Sequence, residues 1–71
     1  MERKEILYRL RDSLLGEEAK ISLNLDILLD NPRSIPEHIN YIEEVEALIG
    51  QLSDIKDKLD QVDLLLNRVL N

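Results

Sequence analysis

A chain of 71 residues allows one small domain, and the absence of cysteine excludes disulfides, thiolate metal sites and thiol catalysis. A net charge of −6 argues against nucleic-acid binding, which needs cationic surface to release counterions, and makes a basic protein the natural foreign partner. No run of about 18 apolar residues is present and acids are mixed into the N-terminal stretch MERKEILYRLRDSLL, so neither a membrane span nor a signal peptide is expected, and a cytoplasmic location is.

The first predicted element is a helix over about 2–30. Leu7, Leu10, Leu14, Ile21, Leu25 and Leu28 fall on one face, with Ile6, Leu15 and Leu29 beside it. The stripe is interrupted next to Gly16, where Glu17 or Glu18 takes an apolar position. The stretch ISLNLDILL alternates like a strand, but Ile21, Leu25, Leu28 and Leu29 also keep helical spacing. A lone strand in a helical chain would lack a ladder partner, so the expectation is helix.

A turn is expected over 31–35. The residue before Pro32 is pushed out of the α region, which stops the first helix. Ser34 and Glu37 then read as a capping box with Pro36 in the first turn, which starts the second.

The second helix is expected over about 35–70 and carries the clearest pattern. Tyr41, Val45, Leu48, Leu52, Ile55, Leu59, Val62, Leu66 and Val69 step alternately by four and three, the 3.5-residue period of a coiled-coil seam. Ile42, Ile49, Leu65 and Leu70 widen the stripe beyond what one neighbour needs. The fold expectation is therefore all-α: an antiparallel two-helix hairpin, coiled-coil-like, assembling into a homo-oligomeric bundle with a four-helix dimer as the default. Val45, Leu52, Leu59, Leu66, Val69 and Leu70 are the expected oligomer interface.

If the turn centres near Arg33, Arg9 and Arg11 fall beside Asp54 and Asp57, Lys20 near Glu43 and Glu46, and Arg3 and Lys4 near Asp60 and Asp63. In that register Gly16 and Gly50 share a level, which suggests a close helix crossing. The C-terminal LNRVLN would overhang the first helix and expose Leu66, Val69 and Leu70 unless another protomer covered them.

Candidate chemistry is sparse. Glu43, Glu44 and Glu46, with Glu17 and Glu18 about one turn away, would form an acidic belt able to dock a basic surface. His38, the only histidine, has no companions in a ligand pattern, and neither a metal nor any other cofactor is expected. Leu59-Asp60-Gln61-Val62-Asp63 resembles the signature helix of the all-helical chorismate mutases. However, Lys56 stands where arginine is usual and no second cationic cluster is present, so the resemblance is not carried further. No catalytic triad, phosphate loop or nucleophile elbow occurs. The expected function is non-enzymatic: an oligomeric hairpin acting through protein–protein interaction as adaptor, inhibitor or small scaffold. The alternative is a small-ligand or nucleotide module between protomers, for which Arg3, Lys4, Arg9 and Arg11 would have to gather at one level.

Overall fold

The computed structural model describes residues 1–30 and 38–70, with side chains on the second helix described from Asn40 onward. Helix α1 spans Arg3–Asp30 and helix α2 spans His38–Leu70. The Glu2 carbonyl accepts the first helical bond from the Ile6 N–H at 3.0 Å, so Glu2 is the N-cap. ISLNLDILL is helical throughout. The turn over 31–35, the capping box at Ser34 and Glu37, and the expected start of the second helix near residue 35 lie outside the described residues. So does the side chain of His38.

The two helices pack on one another as an all-helical hairpin measuring 51 × 16 × 15 Å. Its core is Leu7 and Leu14 from α1 against Ile55, Val62 and Leu66 from α2, with Ile21 and Leu59 packed beside them. On α2 the buried and half-buried positions are Tyr41, Val45, Leu48, Leu52, Ile55, Leu59, Val62 and Leu66, the seam expected from the period, while Val69 is exposed. On α1 the seam is Leu7, Arg11, Leu14, Glu18, Ile21, Leu25 and Leu28. Leu10 is 45% exposed, and Arg11 takes the place expected for it. The phase set by Leu7, Leu14, Ile21 and Leu28 requires a residue four beyond Leu7, and an arginine stem can cover apolar surface while its head reaches out. Between Glu17 and Glu18, it is Glu18 that enters the seam and Glu17 that stays exposed.

The register differs from expectation. Leu7, Leu10 and Leu14 line one groove with Lys58, Gln61, Val62 and Leu65, so Leu7 lies level with about Leu65 instead of Leu59. The slip is about six residues, or ~9 Å along the axis. Arg11 correspondingly bonds Asp63 at 3.2 Å instead of lying beside Asp54 and Asp57, and Arg3 shares a groove with Arg68 instead of approaching Asp60 and Asp63. A seam that repeats every seven residues buries nearly the same leucines when it slides by about a heptad, so periodicity alone does not choose between such registers.

Two expectations that depended on the register fall with it. The C-terminus does not overhang: Leu66 is in the core with Leu7, and Leu70 lines a groove with Tyr8. Gly16 and Gly50 do not cross closely either. A Cβ on either meets nothing within 4 Å, and both residues are exposed.

Candidate interaction surfaces

A two-helix hairpin has two long sides, one on each edge of its seam. In the observed register, positions repeating every seven residues assign the remaining side chains to one side or the other.

The first side is marked by the groove that Leu10 and Leu65 form with Lys58, an open trough of about 350 Å³. Towards the chain termini the same side continues as Arg3, Leu65 and Arg68. Towards the connection it continues as Asn24, Ile27 and Glu44. Exposed Ile6, Leu10, Ile27 and Leu65 supply its apolar surface. Its charges are of both signs: Arg3 and Arg68 at one end, Glu44 at the other, and Glu17, Lys20, Asp54 and Lys58 nearer the middle. Lys58 bonds the Asp54 carboxylate at 2.9 Å in an i,i+4 pair. The hydrogen bond and the charge of Asp54 raise the Lys58 pKa above the ordinary lysine value, slight desolvation opposes this, and the field of Glu17 adds to it. Glu17 on α1 is thus close enough to act on Lys58 across the groove.

The second side is marked by Tyr8, Asp63, Asn67 and Leu70, which line a shallow groove beside the Arg11 pair. Seven-residue steps continue it through Leu15 and Leu29 on α1 and through Ile49 and Ile42 on α2, all exposed. Its outer rim carries Glu5, Asp12 and Asp26 from α1 and Glu46 and Asp60 from α2. Lys56 is the basic residue on this side, and Arg11 is held by Asp63. An apolar strip along both helices is therefore bracketed by carboxylates.

The acidic belt expected from the sequence is not one patch. Glu44 lies level with about Leu28, so Glu43, Glu44 and Glu46 are some 10 residues, or ~15 Å, along the axis from Glu17 and Glu18. Glu44 and Glu17 face the first side, Glu46 the second, and Glu18 is half-buried in the seam. The cluster of basic residues that a phosphate ligand would need is dispersed as well. Arg9 bonds Glu5 at 3.7 Å and Arg11 bonds Asp63, leaving Arg3 beside Arg68.

Of the six residues assigned to an oligomer interface, Leu66 is buried and Val45, Leu52 and Leu59 are half-buried against α1 within the same chain. Val69 and Leu70 are exposed. On the first side, Ile27, Lys58 and Arg68 are residues the sequence did not single out. Leu65 was legible as widening the α2 stripe and Leu10 was placed on the α1 stripe itself, but assigning them to a common side needs the register.

Among the described residues no group of three or more His, Asp or Glu could hold a metal ion, and no helix is long and apolar enough to cross a membrane. No protein-family model, curated protein or solved structure matches the chain.

Proposed function

We propose that the chain is a non-enzymatic, homo-oligomeric helical hairpin that works by binding other proteins, as an adaptor, inhibitor or small scaffold, and that its foreign partner is basic. The observation that carries this reading is surface left uncovered. The hairpin exposes 5667 Å², whereas a compact monomer of 8.3 kDa exposes about 4,600 Å². The excess, roughly 1,100 Å², is larger than the ~800 Å² each partner gives to a stable interface. It contains exposed leucines and isoleucines on both long sides. Leaving one such side chain in water forgoes about 1.5–3 kcal/mol of burial, so covering several of them drives association strongly.

The basic partner follows from the Tyr8 side. A helix with an apolar stripe flanked by Lys and Arg would bury its stripe on Leu15, Ile49 and Ile42 and set its cations against Asp12, Asp26, Glu46 and Asp60. Sedimentation from micromolar to millimolar concentration tests the oligomer, which should grow in mass with concentration. Affinity capture from the source cell tests the partner. Captured proteins should be basic, should elute with salt, and should be lost from a variant with Asp26→Lys, Glu46→Lys and Asp60→Lys. A chain that stays monomeric and a capture insensitive to these charges would overturn the two halves of the reading separately.

A further inference from the structure

We propose that a second copy of the chain packs on the Leu10–Leu65 side, antiparallel, about a twofold axis that passes beside the Glu17–Lys58 level. This rests on the homo-oligomeric reading above and adds which face is used and in which orientation.

The choice between sides comes from charge. On the Tyr8 side a parallel pair puts Asp12 over Asp60 and Asp26 over Glu46 of the second copy, because these residues share levels on the two helices. An antiparallel pair puts Glu5 over Asp26. Either orientation sets carboxylate on carboxylate, which is unfavourable wherever water is excluded. The Leu10–Leu65 side has both signs, separated along its length. Arg3 and Arg68 sit together at one end, and Glu44 lies at the level of Leu28 near the other. A parallel pair would bring Arg3 over Arg68. An antiparallel pair brings Arg68 over Glu44 of the second copy, with Arg3 beside that contact.

The same axis satisfies the rest of the face. The midpoint between the arginine end and Glu44 falls between the levels of Leu14 and Glu17. The pair sets α2 over α2, so Lys58, level with Leu14, meets Asp54 of the second copy, and the reverse contact repeats it. Ile6 meets the neighbourhood of Ile27, apolar on apolar. Leu10 falls over the aliphatic stem of Lys20 of the second copy and Leu65 over its Ala47, which covers the open groove. One side of a 51 × 16 × 15 Å molecule presents about 800 Å², the share each partner gives to a stable interface. The Tyr8 side stays open for a basic partner in such a dimer.

The arrangement is tested by splitting the charges between two chains. Glu44→Arg alone sets arginine against arginine, and Arg3→Glu with Arg68→Glu alone sets glutamate against glutamate. Each should be monomeric by light scattering at a concentration where the wild type has twice the chain mass. An equimolar mixture restores both contacts and should recover the doubled mass. These side chains are exposed, so helix content by circular dichroism should not change. A second measurement does not depend on the charges. Cysteines introduced at Ile6 and Ile27 lie ~31 Å apart along one helix and cannot bridge within a chain, but the antiparallel pair brings them together. Mild oxidation should give a disulfide-linked dimer. A wild-type dimer whose mass ignores both charge variants, or which yields no cross-link, overturns this face while leaving the oligomer standing. A wild type that is monomeric at all concentrations overturns the oligomeric reading itself.

Discussion

Gly16 and Gly50 lie in the middle of long helices, face open space and have no left-handed backbone to justify them. Each should therefore lower stability by roughly 0.5–1 kcal/mol relative to alanine. Gly16→Ala and Gly50→Ala should each raise the urea midpoint by a corresponding amount, and the double variant by about the sum, since no shared neighbour couples them. A loss of oligomer in either variant would instead place the glycine at a contact between copies. The core side chains behave in the opposite sense. Ile55 and Val62 are each 4% exposed, so Ile55→Ala should cost about 2–5 kcal/mol and Ile55→Asp should unfold the hairpin. The Arg11–Asp63 pair is half exposed, and Asp63→Asn should cost no more than about 1 kcal/mol by denaturant titration. Lys58 gives a directional prediction with pH. Its folded pKa is raised, so what Asp54 contributes is fully present below the unfolded lysine pKa and is lost as pH rises through the folded one, in the alkaline range. Asp54→Asn should lower the Lys58 pKa in an NMR titration and remove that alkaline dependence.

At the scale of the element, the two helices are unequal. α2 has an apolar residue at every described seam position from Tyr41 to Leu66, whereas α1 interrupts its seam with Arg11 and Glu18. A helix of 28 residues with this much polarity in its packing stripe depends on its partner, because isolated helices are marginal and most helical stability comes from tertiary packing. A peptide covering Arg3–Asp30 should show little helix alone by circular dichroism and gain it on addition of a peptide covering His38–Leu70. Glu18 is half-buried between Leu14 and Ile21, so Glu18→Leu should extend the seam and stabilise the hairpin by about 1 kcal/mol. If Glu18→Leu destabilises instead, the carboxylate has a partner outside this chain.

At the scale of the whole molecule, the hairpin buries one edge of each helix and leaves two sides that differ in charge pattern more than in apolar content. In the proposed dimer, that difference is what selects one face for a second copy and leaves the other open. Association of this kind ties stability to concentration: the thermal midpoint should rise with chain concentration for the wild type and become independent of it for Glu44→Arg. Truncation after Leu66 gives a further check. It keeps the core leucine and removes Arg68, so the shortened chain should stay folded but lose the doubled mass, through loss of charge complementarity and not through an exposed apolar overhang.

The amino-acid sequence by itself determined that the chain is helical, that its two helices pack as a hairpin, and which residues of α2 form the seam. These follow from local chemistry and from a 3.5-residue period, both of which act over a few turns. It also indicated that apolar residues exceed what one seam can bury. Only the tertiary structure decided how far one helix slides along the other. A heptad pattern is nearly unchanged by a slip of one repeat, whereas the level at which Leu7 meets Leu65 and Arg11 meets Asp63 is a long-range fact. That slip separated Gly16 from Gly50, divided the acidic belt, removed the overhang, and set Arg3 beside Arg68 at the far end from Glu44. The seam was therefore legible in the residues themselves, while the composition of each side, and with it the candidate interface, depended on a register that no local rule selects.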